Sequence, residues 1–112
     1  MKEYVSVDVE TTGLAPKQDK IIEIGAVRVR DGQIVGSFTS FVNPGRILPA
    51  HITELTGILQ EQVDEAETME SVLPAFLEFA GDLPLMGHRI LFDYGFLKRA
   101  AVNMRLDFER SG

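Results

Sequence analysis

The chain has 112 residues, a net charge of −6 and no cysteine. This length suits one small domain, and the lack of thiols excludes disulfides and thiolate metal sites, so a cytoplasmic location is our default expectation. The acidic balance argues against a broad basic surface for nucleic acid, and no apolar run is long enough to cross a membrane.

Residues 4–14, YVSVDVETTGL, predict a strand that ends in a sharp turn. Valines alternate along it with Asp8 and Glu10, and because strand side chains alternate between faces, the two acids point the same way, about 6.6 Å apart. Two neighbouring carboxylates repel unless a positive group lies between them, and their oxygen atoms suit Mg²⁺ or Mn²⁺. The alternative is a solvent-facing strand whose two acids only keep the protein soluble.

A polar loop leads into a second strand, which we predict at Ile21–Arg30. The following Asp31-Gly32 pair is typical of a two-residue hairpin, because a type I′ turn needs positive φ at both central positions. A third strand at residues 33–42 should therefore run antiparallel to the second.

Helices are predicted for much of the second half of the chain. Short helices are expected at Ala50–Thr56, closed by Gly57, and at Gln60–Asp64. Residues 68–80 carry apolar side chains at spacings of three and four and predict an amphipathic helix. A buried strand is expected at residues 83–86, parallel to the first strand because a helix connects them.

A long helix predicted at residues 90–104 carries an unexpected acid. Its apolar stripe consists of Phe96, Leu97, Ala100, Ala101 and Met104. Counting back by three and four residues places Asp93 on the same stripe, where an ionised carboxylate is costly without a partner. The alternative is an exposed carboxylate that the helix dipole favours in the first turn.

Together these elements predict an α/β fold that combines two strand acids with one helix acid. Three such carboxylates are what a phosphodiester-hydrolysing site with two divalent ions requires, the ions lying roughly 3.5–4 Å apart. An acidic cleft of this kind can still bind nucleic acid, because the bound cations reverse its charge.

Four segments carry a resemblance to a known family: VSVDVETTGL, KIIEIGAVRV, ITELTGI and GHRILFDYGFL. In order and spacing they resemble the DEDD family of metal-dependent 3′ to 5′ exonucleases. Within that family the likeness is to the proofreading exonucleases of bacterial DNA polymerase III, either as the epsilon subunit or as a domain of Gram-positive replicative polymerases. The resemblance implies a ribonuclease H-like mixed sheet, an antiparallel three-strand meander plus one parallel strand, with flanking helices.

The resemblance also implies roles for individual residues. Asp8, Glu10 and Asp93 would be the catalytic ligands of Mg²⁺ or Mn²⁺, two ions in the complete family site, with Asp8 bridging both ions. His88 is expected to support the site rather than to bind metal. The residues implied at the substrate's 3′ end are Thr11, Thr12, Gly13, Leu14, His51, Ile52, Leu55, Thr56, His88 and Phe92.

The chain departs from the family pattern in two ways. Arg89 replaces the asparagine that usually follows the Gly-His pair, and an arginine could instead contact a phosphate. The family's third motif, a histidine general base and a fourth aspartate, has no counterpart, since no histidine follows Asp93 and the only later aspartate, Asp107, lies in the wrong context. We therefore expect one exonuclease-like domain over residues 1–112 that lacks the family's C-terminal part and is weak or inactive without its parent.

The expected partners are a single-stranded 3′ end, a DNA polymerase subunit or domain, no membrane, and a second copy through an exposed sheet edge. Two other functions stay open at this point. One is an RNA or oligoribonucleotide exonuclease of the same family, because the 2′-hydroxyl decides between DNA and RNA. The other is an interaction module that keeps the fold without turnover.

Overall fold

The computed structural model describes residues 2–104, in which a four-stranded mixed sheet carries the acidic residues. Strand β1 spans Glu3–Thr11, β2 spans Ile21–Arg30 and β3 spans Gln33–Phe41. Strand β4, Leu85–Met86, pairs in parallel with β1, whereas the β1–β2 and β2–β3 pairs are antiparallel. The order β3-β2-β1-β4 confirms the predicted meander with a parallel fourth strand.

The β2–β3 hairpin turns at Asp31 and Gly32, whose φ angles are 51° and 82°. Positive φ at both positions is what a two-residue hairpin turn requires, so this prediction is confirmed. The turn places Arg30 opposite Gln33, and a bulge after Arg28 shifts the pairing farther along the strands.

Four helices connect or cover the strands, and each agrees closely with a predicted element. They are α1 at Ala50–Thr56, α2 at Gln60–Asp64, α3 at Met69–Ala80 and α4 at Ile90–Asn103. Gly57 ends α1 with φ of 79°, and its backbone NH donates to the carbonyl of Thr53.

Prolines affect two of the predicted elements. Pro74 lies inside α3, which begins at Met69, so the helix loses one backbone hydrogen bond. Strand β4 is shorter than the predicted 83–86 because Pro84 has no backbone NH for the ladder, although its carbonyl accepts from the Val5 NH at 3.0 Å.

Two hydrophobic clusters hold the elements together. The larger joins β1 to the inner faces of α3 and α4 through residues that include Val5, Val7, Val9, Leu73, Phe76 and Leu97. The smaller packs α1 and α2 against β2 through Ile22, Leu48, Ile52, Ile58 and Val63. Since the odd-numbered side chains of β1 face the core, the even-numbered side of the strand carries the acids.

The described residues stop before Asp107, so the expectation about that aspartate lies outside them, as does the C-terminal end of the predicted domain. Between residues 2 and 104, no helix has the length and apolar character that crossing a membrane would require.

Candidate active site

The C-terminal end of β1 carries two acids on one face, as the alternation predicts. Asp8 is exposed and lies opposite Gly25 of β2, whereas Glu10 is partly buried and lies directly opposite Glu23. The valine between them, Val9, is buried on the other face. Three carboxylates therefore share one side of two adjacent strands.

Asp93 in the first turn of α4 is 1% exposed, which excludes the alternative of a solvent-facing carboxylate at the helix start. Neither of its carboxylate oxygens has a hydrogen-bond partner of normal geometry among the described residues. A buried acid without a partner is uncommon, because its desolvation is not compensated. Such a group indicates either a protonated acid or a missing positive ligand.

Gly87 allows this acid to approach β1. A Cβ atom at Gly87 would lie 2.5 Å from the backbone oxygen of Val7 and 3.6 Å from Oδ2 of Asp93. Only a residue without a side chain lets the segment before α4 pass so close to the strand. The first turn of α4 is thereby placed beside Asp8 and Glu10.

Burial and neighbouring negative charges raise the proton affinity of three acids at this site. Burial raises the pKa of Asp93 to about 6, and the charge of Asp8 adds to the rise, whereas the Val9 backbone NH and Arg89 oppose it. Burial also raises the pKa of Glu10, with Asp8 and Glu23 adding to the effect and Arg89 opposing it. Burial and then Asp8 raise the pKa of Glu23. The site is thus an acidic cluster that a cation would stabilise.

The ligand atoms of these residues suit a divalent cation, but their side chains are not yet arranged around one. Carboxylate oxygens are the ligands that Mg²⁺ and Mn²⁺ prefer, and neither oxygen of Asp93 is occupied by a hydrogen bond of normal geometry among the described residues. However, no three histidine, aspartate or glutamate side chains in the described part of the chain are already close enough to hold one ion. Asp8 is exposed and can rotate, so the set could close around a cation by side-chain motion.

The turn after β1 is held by Asp19, which the sequence did not single out. Its carboxylate accepts hydrogen bonds from the Thr12 hydroxyl at 3.1 Å and from the Ala15 backbone NH at 3.0 Å. A Cβ at Gly13 would lie 2.4 Å from Oδ2 of Asp19, so glycine is needed inside this turn. Leu14, in the same turn, is 78% exposed.

The residues predicted on α1 divide into outward-facing and inward-facing groups. His51 and Leu55 are exposed one helical turn apart and can meet a ligand. Ile52 is buried in the smaller cluster, and its role in the segment that lines the nucleotide pocket stays a prediction. The Thr56 hydroxyl donates to the Ile52 carbonyl at 2.8 Å and accepts from the Ile58 NH at 3.1 Å, which occupies it within the helix end.

The remaining predicted residues lie around the same end of the sheet. Thr11 is buried and its hydroxyl donates to the Gly13 carbonyl at 2.5 Å, so it stabilises the turn. His88 is exposed just before α4. Phe92 is partly buried, with its ring centroid 4.9 Å from that of Phe96. A cavity of about 350 Å³ lies elsewhere, between the 16–21 loop and the far half of α4, and none of the three predicted metal ligands lines it.

Sequence reasoning missed Glu23 as well as Asp19. An acid between two isoleucines in Ile21–Arg30 was a visible signal for Glu23, but its facing residue depends on the register of β1 and β2. Asp19 had no such signal, since its role rests on a turn conformation that spacing does not reveal.

Comparisons with known proteins agree with this arrangement. A family model described as "Exonuclease" matches residues 5–110. The chain is 51% identical over 102 residues to a PolC-type DNA polymerase III of Clostridium perfringens, covering 91% of this chain and 7% of that protein. It is 46% identical over 108 residues to the PolC-type DNA polymerase III of Bacillus subtilis, covering 96% of this chain and 7% of that protein. The chain thus spans only a small part of these relatives.

Solved structures show the same fold. The nuclease domain of 3′hExo, a DEDDh family member bound to rAMP, is 26% identical with a TM-score of 0.79 over 96% of this chain and 62% of that one. Exonuclease I of E. coli in complex with a dT13 oligonucleotide is 16% identical with a TM-score of 0.82, over 96% of this chain and 25% of that one. The predicted ribonuclease H-like fold is confirmed, and the chain belongs to the exonuclease family whose model it matches.

Proposed function

We propose that this chain forms the metal-binding part of a site that removes nucleotides from the 3′ end of DNA, as in proofreading during replication. The observation that carries the proposal is the buried carboxylate of Asp93, which makes no hydrogen bond of normal geometry among the described residues and lies in an acidic cluster with Asp8 and Glu10. Membership in the exonuclease family and the similarity to PolC-type polymerases support it. A pair of Mg²⁺ or Mn²⁺ ions, when bound, would activate a water molecule and stabilise the leaving oxygen.

The chain's own residues would bind and orient the substrate in this proposal. Asp8, Glu10 and Asp93 hold the cations, and the exposed side chain of Leu14 contacts the terminal nucleotide. The Asp19 hydrogen bonds keep that turn rigid, which limits the motion of the terminal nucleotide. His51 on the exposed face of α1 would line the other side of the nucleotide.

RNA is the second candidate substrate, because the 3′hExo neighbour is described with bound rAMP, whereas exonuclease I is described with dT13. A polymerase subunit or domain remains the proposed partner, since the chain resembles one segment of much longer polymerases. Pairing of two copies through a sheet edge and a cytoplasmic location stay predictions.

The proposal is tested with 5′-labelled DNA and RNA oligonucleotides of one sequence, incubated with an excess of the protein and MnCl₂. We expect shortening from the 3′ end, faster on DNA than on RNA, because the similar PolC-type proteins are DNA polymerases. EDTA and Asp8→Asn should abolish it, whereas Asp82→Asn, an equal charge change at an exposed loop, should not.

Shortening that survives EDTA or Asp8→Asn would contradict the metal-dependent exonuclease proposal. Faster shortening of the RNA than of the DNA oligonucleotide would favour RNA as the substrate.

A further inference from the structure

Arg89 is the residue immediately before α4, and its side chain is held in place by an aromatic ring. Its guanidinium carbon lies 4.2 Å from the centroid of the Phe92 ring. Phe92 in turn packs against Phe96 of the buried core. A guanidinium over a ring face keeps its NH groups at the edge available for a ligand, and a lysine ammonium could not reproduce this geometry.

The charge of Arg89 acts on the acidic cluster, although the guanidinium is not paired with any of its carboxylates. Its positive charge opposes the rise in the pKa of both Glu10 and Asp93, so it lies within electrostatic reach of both. It is the only cation among the described residues that acts on these two acids. Yet Arg89 makes no ion pair within the described part of the chain, where the salt bridges involve Arg28 and Arg30.

A phosphate is the ligand that this combination fits. A guanidinium with unused donors binds two oxygen atoms of a phosphate at once, and the hydrogen bonds are strengthened by charge. An arginine that served only to neutralise the acids would pair with a carboxylate, whereas this one is stacked and exposed. The net charge of −6 also makes a fixed cation useful where an anionic strand must approach.

We propose that Arg89 binds the phosphate of the substrate's 3′-terminal nucleotide through its guanidinium edge, with Phe92 fixing its orientation. This assignment rests on the proposed function, since it adds a phosphate-binding residue to the same site. It makes Arg89 a determinant of affinity for nucleotides that carry a phosphate beside the metal ligands.

The test is titration of thymidine 5′-monophosphate into the protein at saturating MnCl₂, with Mn²⁺ affinity measured separately for each variant. Arg89→Gln should weaken nucleotide binding by about tenfold or more, because a charged, two-point hydrogen bond is lost. Arg89→Lys should be intermediate. Arg30→Gln is the matched control, since Arg30 is exposed at the far end of β2 and pairs with Glu3 at 3.4 Å, and it should leave the affinity unchanged.

The Mn²⁺ titration separates this inference from the proposed function. Removing a cation beside the acids should leave Mn²⁺ binding equal or tighter, so opposite changes in metal and nucleotide affinity support the assignment. The assignment would be overturned if Arg89→Gln left the nucleotide affinity unchanged, or if it weakened Mn²⁺ binding as much as nucleotide binding. It would also be overturned if the unmodified protein bound no nucleotide. Absence of Mn²⁺ binding by the unmodified protein would instead contradict the proposed metal site.

Discussion

Asp93 combines almost complete burial with a carboxylate that makes no hydrogen bond of normal geometry among the described residues, although the Val9 backbone NH lies close enough to oppose the rise in its pKa. Its pKa of about 6, against an ordinary 3.8, means that the folded protein retains a proton that the unfolded chain has released. The contribution of this group to stability therefore falls as the pH rises from about 4 to about 6, and a penalty persists above that range. A bound cation would remove the penalty by compensating the charge.

Replacing Asp93 by asparagine should therefore stabilise the metal-free protein at pH 7.5. We expect a gain on the order of 1–3 kcal/mol in the free energy of unfolding, since each pKa unit is about 1.4 kcal/mol. The gain should shrink as the pH is lowered to 4.5, where Asp93 is protonated in the folded state. Urea unfolding in EDTA at both pH values measures it.

Asp82→Asn is the control for Asp93→Asn, because it removes the same charge from an exposed position. A variant at position 93 that is less stable than this control at pH 7.5 would show that the Asp93 carboxylate already has a stabilising partner.

The burial and contacts of individual site residues were predictable from the sequence to different degrees. Helical periodicity was enough to predict that Asp93 faces inward, because apolar neighbours define the buried stripe. The contact of Asp19 with Thr12 depends on the turn conformation, and the burial of Ile52 depends on how α1 packs. Neither has a periodic signal, so the sequence indicated neither the role of Asp19 nor the burial of Ile52.

At the scale of elements, the site depends on the close passage of the segment before α4 over β1. Gly87 is the point of contact, since a side chain there would collide with the Val7 carbonyl. The strand cannot yield easily, because its backbone is hydrogen-bonded to β2 on the opposite edge. Any displacement would move Asp93 away from Asp8 and Glu10.

Gly87→Ala should therefore destabilise the fold by about 1–3 kcal/mol and weaken Mn²⁺ binding. Gly95→Ala, inside α4, is the matched control, because its Cβ would meet only Pro16, at 3.8 Å. Removing a glycine from the interior of α4 should be neutral or stabilising by up to about 1 kcal/mol. Thermal unfolding and Mn²⁺ titration of both variants provide the comparison, and equal behaviour of the two would contradict the role of Gly87.

Elements joined by tight turns were predictable, whereas register across a long loop was not. The Asp31-Gly32 turn determines how β2 begins to pair with β3. No such turn joins β1 to β2, so the cross-strand pair of Glu10 and Glu23 could be seen only in the structure. The extended loop between these strands allows several registers that conserve the apolar alternation.

For the whole molecule, the net charge of −6 means that the metal-free protein repels a nucleic acid strand. Divalent cations at the acidic cluster would reverse the charge locally while most of the surface stays acidic. Metal binding is therefore the event on which both stability and substrate binding depend in this account. A ligand that binds only the folded state also stabilises it, by about 2.7 kcal/mol at one hundred times its dissociation constant.

Calorimetric titration of MnCl₂ at pH 7.5 into the protein, Asp8→Asn, Asp93→Asn and Asp82→Asn tests the metal site most directly. We predict saturable binding to the unmodified protein and to Asp82→Asn, and at least about tenfold weaker binding when either site aspartate is replaced. No binding heat in the unmodified protein, or the same affinity in all four proteins, would contradict the assignment of Asp8 and Asp93 as metal ligands.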